Sequence, residues 1–437
     1  MPKIAIIGAG INGLAKAYDL QSHGYECTLL EKSDRIGGAI CSTEHSSGFR
    51  TEDGPHSLLL NSNKLEAFIH SFEVLKQSLI STNPQAQNRF ILKNNQLHPI
   101  QPKPFSLLTT NLLPFKSRLK LLSELLQLPK ERLEDISIRE FFIQHFDHEF
   151  VDYLLDPFIA GTYAGDPSRL SAESTFPKLF EYEGTYGSIL KGLLINKSSY
   201  KNRIISFKDG LSSLPKAIAQ GLKNKPILAC KILLIKRENN QWMIHFQKGS
   251  TETRCMSFDA IHFTVPAFTI SKLPFDESVK KYLPKFDSVD HPPVSVLSLG
   301  FHKSEIQHPM NGLGYLTPKI EKTNHLGALF VSKMFPNRAP EDHELISFFI
   351  GGSRNPEYAN PDTEKLISML TPTLENLLGI TARPAFAYQR FWAQSIPQYS
   401  IGHQKLIHSI ENFEQQFPGL KFEGNYRKGI ALNQAII

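Results

Sequence analysis

Cysteine, tryptophan and long apolar runs are all scarce in this 437-residue chain, and each scarcity removes a class of protein. The four cysteines, Cys27, Cys41, Cys230 and Cys255, are scattered and never form a C-x-x-C pair. That spacing argues against a disulfide framework and a cysteine zinc site, and it fits a reducing compartment. Sixteen histidines occur without H-E-x-x-H or any other paired-ligand spacing, so no metal is expected. His145 and His148, beside Asp147 and Glu149, read as a solvated helix face. No apolar run approaches the roughly 20 residues that span a bilayer. The chain opens on a strand-like run, without the basic, apolar and small-residue succession of a secretory signal, so a cytoplasmic location is expected. There is no Ser/His/Asp, Cys/His or paired-carboxylate constellation. Neither a recognition-helix pattern nor an aromatic platform points to nucleic acid.

What is present begins at once. Lys3–Ile7 (KIAII) is too apolar for a strand with one wet face and reads as a central parallel strand. It runs into Gly8-Ala9-Gly10-Ile11-Asn12-Gly13, and a helical pattern (Leu14, Ala15, Ala17, Leu20) follows. The glycines suit a tight turn, close approach of backbone to a pyrophosphate and close helix–strand packing, with the phosphates at the positive helix end. A second strand, 26–30, ends at Glu31, where an acid accepts hydrogen bonds from a ribose. The continuation Glu31-Lys32-Ser33-Asp34-Arg35-Ile36-Gly37-Gly38 resembles the E-x-x-x-R-x-G-G signature of amine-oxidase-like flavoproteins. That resemblance implies FAD, with Arg35 and the glycine pair helping to hold its phosphates and ribityl chain.

Net charge is +6, unevenly spread. Between Arg89 and Arg132 stand Arg89, Lys93, Lys103, Lys116, Arg118, Lys120, Lys130 and Arg132 against only Glu124 and Glu131. Within this stretch Lys116–Leu128 puts its leucines (119, 121, 122, 125, 126, 128) on one half of a helical wheel and Lys116, Lys120, Ser123, Glu124 and Gln127 on the other. It reads either as a helix lying in a membrane interface or as the surface helix of an insert. The expected architecture is α/β, more fully an α+β two-domain flavoprotein. A Rossmann-like FAD-binding domain (1–85, 201–265 and a closing segment 401–437) is joined by a mostly helical insert (86–200), the candidate membrane-binding region, and a sheet-based substrate domain (266–400).

Asp156-Pro157-Phe158-Ile159-Ala160-Gly161-Thr162-Tyr163-Ala164-Gly165-Asp166-Pro167, with Leu170-Ser171, closely resembles a tract of the oxygen-dependent protoporphyrinogen oxidase family. Further segments agree in order: Gln87–Phe90 with Leu97-His98-Pro99, Phe207–Leu211 with Leu214-Pro215, Gly312–Leu316 with Pro318, Phe335–Pro340, Phe349–Arg354, and Ala393 to His403. The resemblance covers essentially the whole chain. It implies a six-electron oxidation of protoporphyrinogen IX to protoporphyrin IX in haem biosynthesis, with FAD as cofactor and O2 as acceptor, giving H2O2. No side-chain acid or base is required, since the hydride chemistry belongs to the cofactor.

By the same resemblance Arg89 faces a substrate propionate, Phe349 stacks on the tetrapyrrole, and Leu313 and Leu316 flank the ring. Gly161 lets the substrate edge approach the flavin. FAD contacts are implied for Gly8, Ala9, Gly10, Ile11, Asn12, Gly13, Glu31, Lys32, Arg35, Gly38, Ala39, Gly54, Pro55, His56, Ser57, Ile232, Asn425, Ile430, Ala431 and Leu432. Peripheral attachment to the inner face of the cell membrane, a homodimer and a partnership with ferrochelatase, the next haem-pathway enzyme, are implied too. One departure concerns the C-terminus: relatives continue into a longer closing helix, whereas here Gly429-Ile430-Ala431-Leu432 is followed only by 433–437, which implies weaker FAD retention. Three other readings stay open: coproporphyrinogen III as substrate, an amine or carotenoid oxidoreductase, and a non-catalytic flavin-fold protein.

Overall fold

Four strands far apart in the chain meet in one parallel sheet, in the order Leu420–Phe422, Ala260–Phe263, Lys3–Ile7, Glu26–Leu30. The computed structural model describes residues 1–86, 88–101, 109–130, 132, 134–249 and 252–436; Gln87, Lys103 and Glu131, named above, lie outside the described residues. Lys3–Ile7 is central and buried on both faces, as its unbroken apolar run dictates. Parallel neighbours need crossovers. The first is the helix Ile11–Ser22; the next two are long excursions that build the rest of the molecule.

One face of this sheet packs on an antiparallel sheet of Cys230–Glu238, Gln241–Lys248 and Glu252–Phe258, in a core holding Trp242, Phe246, Phe263 and Phe422. Asn239 and Asn240, both at positive φ (47° and 65°), make its two-residue turn. The other face packs through Leu14 and Ala17 onto Leu58, Leu60, Leu65, Ile205, Phe207 and Leu214.

A seven-stranded sheet forms the second body, in the order Phe386–Trp392, Val294–His302, His343–Gly351, Gly327–Phe330, Gly312–Leu316, Asn88–Lys93, Gln96–Ile100. The last two strands fall in the stretch that the sequence assigns to the helical insert, yet they extend this sheet. Asn94 and Asn95 (φ 51° and 58°) turn the hairpin, and their signal is hidden by the prolines that follow it. One face of the sheet carries Leu297, Leu299, Phe301, Tyr315, Phe348 and Ile350 against the helix Thr363–Thr373. On the other, register places Arg390, Val296, Phe349, Gly327, Leu316 and Ile91 side by side across six strands. Cross-strand partners share a face, so these residues form one row.

A helical region lies beside that row: Phe115–Glu124, Ile138–His145, a continuous run from His148 to Tyr163 with a π turn at Val151–Leu155, Pro177–Tyr186 and Ile189–Ile195. Ser137 and Glu140 form a capping box at the start of the second helix. The core of the region is Leu121, Phe141, Phe142, Phe146 and Ile159. Among the described residues no helix is long and apolar enough to cross a membrane.

Candidate functional site

The loop after Lys3–Ile7 shows which glycines serve packing and which leaves room for a ligand. Gly8 has φ +103°, and a Cβ there would meet Val265 at 2.7 Å. A Cβ on Gly13 would lie 1.9 Å from the Gly8 carbonyl oxygen, so the helix can approach the strand only without one. At Gly10 a Cβ would meet nothing nearer than the Gly38 Cα at 4.0 Å. That open side is the cradle a pyrophosphate needs at the start of the helix at Ile11. The Glu31 carboxylate is fixed across the mouth of the loop: Oε2 accepts from the Ala9 amide at 2.7 Å and Oε1 from the Ser33 amide and hydroxyl at 2.9 and 2.8 Å. These residues fit a dinucleotide.

Arg35 acts on the loop itself: its Nη2 donates to the Gly38 carbonyl at 2.9 Å and braces the Gly37-Gly38 turn, where both residues have positive φ. Lys32 is exposed beside it. Gly54 is required by the neighbouring Ala39, whose carbonyl oxygen would lie 2.6 Å from a Cβ. Pro55 and Ser57 are half-buried around the buried His56. Burial lowers the His56 pKa to about 4, so the ring is neutral. Its Nδ1–H donates to the Gly54 carbonyl at 3.0 Å, leaving a buried Nε2 acceptor with no protein partner among the described residues. An orphaned acceptor beside the Gly54–Ser57 turn is what a cofactor donor would satisfy.

Ile232 lies on the strand whose first residue, Cys230, donates its amide to the Glu31 carbonyl at 2.8 Å, so it borders the adenosine end. The closing segment reaches the same loop, because the Asn12 side chain donates to the Glu423 carbonyl at 3.1 Å. Asn425 opens the short helix that follows, and Ile430 and Ala431 lead into Leu432–Ile436. Short as it is, this last helix packs Leu432, Ala435 and Ile436 against the core that also holds Leu14 and Leu58.

The candidate substrate side is this second face of the large sheet, on which the helix Asp156–Tyr163 packs. Gly161, on the helix Asp156–Tyr163, faces Leu316: a Cβ there would meet Leu316 Cδ2 at 2.4 Å. Ala160 and Ala164 of the same helix and turn pack with Val294 and Val296, against which Phe349, Trp392 and Ile396 lie half-buried. Phe349 also meets the His56 ring edge-on at 5.5 Å. The structure thus brings Gly161, Leu316, Phe349 and His56 together at one part of this face. Leu313 is not drawn into it; it sits at the bulge between Gly312 and Tyr315.

Arg89 stands two residues before Ile91 at the far end of the row. It is solvent-accessible, and the surrounding protein desolvates it enough to lower its pKa. Among the described residues its side chain has no hydrogen-bond or ion-pair partner. Arg390 and Trp392, at the other end, were missed in the sequence. The Arg390 guanidinium lies 4.6 Å over the Trp392 ring and 3.9 Å from Asp53, and Trp392 Nε1 donates to the Asp53 carbonyl at 2.7 Å. The available signal was the period-two succession Tyr388, Arg390, Trp392.

The helical region corrects two expectations. His145 is buried, not solvated: Nδ1 meets Glu124 and Nε2 meets Glu183, each at 3.0 Å, and Arg132 pairs with Glu183. Burial alone would lower the His145 pKa, but the two carboxylates outweigh it and raise the pKa, favouring the charged ring. Glu124, on the polar half of the wheel, is the buried side of its helix. It accepts from the Ser188 hydroxyl and the Ile189 amide, both at 2.6 Å, while Leu119, Leu122, Leu126 and Leu128 are exposed. The carboxylate goes inside because it meets amide donors at the start of the helix Ile189–Ile195.

A family profile, flavin containing amine oxidoreductase, matches residues 11–436. The mitochondrial protoporphyrinogen oxidase of Nicotiana tabacum is 30% identical, over 99% of this chain and 92% of that protein. The coproporphyrinogen III oxidase of Staphylococcus aureus is 28% identical, over 99% and 96%. Among solved structures, an Exiguobacterium protein provisionally assigned as a protoporphyrinogen oxidase superposes with a TM-score of 0.81 at 23% identity, covering 100% of this chain and 96% of the other. Reduced UDP-galactopyranose mutase does so at 0.75 and 18%, covering 100% and 93%; at these identities both matches show the fold alone. The pyrophosphate cradle, the fixed Glu31 and the full-length match agree: this chain belongs to the flavin containing amine oxidoreductase family, with FAD as its cofactor.

Proposed function

We propose that this flavoprotein oxidises protoporphyrinogen IX to protoporphyrin IX, passing six electrons in three two-electron steps to three O2 and releasing three H2O2. The observation that carries the reading is the apolar surface where Gly161 meets the Leu316–Phe349 row, with the guanidinium of Arg89, unpartnered among the described residues, at its far edge. A flat, apolar ring system with carboxylate arms fits that distribution. When bound, FAD supplies hydride acceptance and reoxidation by oxygen. The chain's own residues do the rest. Phe349 and Leu316 offer apolar faces and exclude water, Gly161 keeps the roof free of a side chain, and Arg89 is free to take a carboxylate bidentately. The relatives named as protoporphyrinogen oxidases support the choice of substrate.

One observation favours coproporphyrinogen III as the second reading. Arg390 gives the row a second guanidinium at its opposite end, and that substrate carries propionates on every ring. Porphyrin fluorescence growth in air, with both porphyrinogens supplied in parallel to the purified protein, decides between them. Faster growth with protoporphyrinogen IX is expected. Faster growth with coproporphyrinogen III moves the chain to the second reading, and growth with neither, despite bound flavin, overturns both.

Peripheral attachment to the inner face of the cell membrane is part of the same proposal. It is supported by the exposed Phe115, Leu119, Leu122, Leu126 and Leu128 beside Lys116 and Lys120, an apolar face rimmed by cations. Flotation with anionic vesicles tests it; protein left wholly at the bottom of the gradient removes it.

A further inference from the structure

The turn 398–403 joins two parts of the molecule that the proposed chemistry needs together, and two of its side chains act on one short backbone stretch. The Tyr399 hydroxyl donates to the Asn425 carbonyl and accepts from the Gly429 amide at 3.1 Å. The His403 ring stacks on Tyr399, with centroids 4.6 Å apart and planes 21° from parallel, and its Nε2 lies 2.7 Å from the Tyr426 carbonyl. With the proton on Nε2 that contact is a donation, and burial lowers the pKa of this ring, so the neutral form is the one present. Three backbone groups within five residues, Asn425 to Gly429, are therefore held by two side chains.

That stretch follows directly on Leu420–Phe422, an edge strand of the parallel sheet, at the strand ends where the dinucleotide loop lies. In open α/β sheets ligands bind just there, outside the carboxyl ends of the strands. Gly429 has φ +107°, so the backbone leaves the stretch in a conformation that a side chain would strain. The backbone of the turn is anchored on the opposite side: the Tyr399 carbonyl accepts from the Ser171 amide at 2.7 Å, and the Gly402 amide donates to Asp135 at 2.8 Å. Gln398 donates to the carbonyl of Tyr163, at the end of the roof helix, at 2.8 Å.

We propose that Tyr399 and His403 are positioning residues for the cofactor. They form a clasp that fixes Asn425–Gly429 where it would border bound FAD and slows FAD release, and the turn that carries them ties that stretch to the helix Asp156–Tyr163. The proposal rests on the FAD assignment and not on which porphyrinogen is oxidised.

The test uses the holoenzyme and the variants Tyr399→Phe, His403→Leu and His403→Gln. Two readouts are followed: FAD release, by the rise in free-flavin fluorescence on dilution, and melting temperature with and without saturating FAD. Tyr399→Phe keeps the ring stack and loses both hydroxyl contacts, so about tenfold faster release is expected. His403→Leu should behave similarly, and His403→Gln, which keeps a donor, should recover most of the loss. A clasp on the cofactor narrows the gap between holo and apo melting temperatures, because FAD then binds more weakly and adds less stability. A purely structural role lowers both melting temperatures equally, and that result overturns the proposal, as does release at the wild-type rate in Tyr399→Phe and His403→Leu. If Tyr399→Phe does not fold, the His403 pair decides. Failure of the substrate reading appears separately, as wild-type protein that holds FAD but oxidises neither porphyrinogen.

Discussion

The dinucleotide region and the helical region are built on opposite plans. Around Lys3–Ile7 the interior is apolar and tight, and the half-buried Glu31 braces the loop at its edge. In the helical region the interior holds the ionic group Glu124–His145–Glu183–Arg132, while leucines of the same helix stand in solvent. The first plan buries what is costly to hydrate. The second buries what has found donors, and leaves an apolar surface exposed among the described residues. The proposed membrane attachment rests on that patch.

Several measurements would break or sharpen this contrast. The largest effect is expected from Gly13→Val, which would force a side chain into the space of the Gly8 carbonyl; purified protein should carry no flavin, and a yellow variant would break the account of the loop. Next comes Glu124→Leu. Removing one partner leaves His145 buried and half-paired, and such a loss costs about 3–5 kcal/mol, measurable by denaturant unfolding. Stability unchanged within error would show that the ionic group contributes nothing to the second plan.

Gly161→Val should lower kcat/KM about a hundredfold with flavin still bound, because the added branch clashes with Leu316 and displaces it from the row. Arg89→Ala should cost roughly 1–3 kcal/mol in kcat/KM on a porphyrinogen, the range for a charge-assisted hydrogen bond, with Arg89→Lys recovering little. The smallest effect on stability is expected from Leu126→Ser with Leu128→Ser, within about 0.5 kcal/mol by denaturant titration. Vesicle binding should fall in the same variant; a large loss of stability would mean that these leucines are core after all.

The ionic group also gives the helical region its own pH dependence. His145 has a raised pKa when folded, so its contribution is complete below the usual 6.5 and is lost as pH rises through the higher folded value. Glu183, which burial alone would raise, is brought down to about 2 by His145 and Arg132; its contribution is present above the usual 4.5 and is lost as pH falls toward 2. Both are complete between about pH 4.5 and 6.5, and melting temperature in that interval should exceed that at pH 9.

How much of this was legible in advance differs in the same way. The strand–loop–helix unit, Glu31 and the Gly37-Gly38 turn could be read because their causes act within some 35 contiguous residues. The hairpin Asn88–Ile100 was not read as part of the large sheet, because its turn residues precede a proline-rich stretch that looks like a linker. Arg390 and Trp392 escaped notice since a half-buried edge strand shows only weak alternation. His145 was misjudged because a histidine among acidic neighbours in sequence looks solvated; its real partners, Glu124 and Glu183, lie 21 and 38 residues away.

The sequence by itself determined that this chain binds a dinucleotide and what kind. Glycines without side chains, an acid at a strand end and an apolar central strand permit few other local structures. Only the tertiary structure decided which half of Phe115–Glu124 is buried, that Gly161 meets Leu316, that Phe349 and Arg89 share a face, and that Tyr399 holds Asn425 and Gly429. The reason is physical. A periodic pattern says that a helix has two sides, but which side is buried depends on donors and surfaces that distant segments bring, and these exist only once the chain has closed on itself.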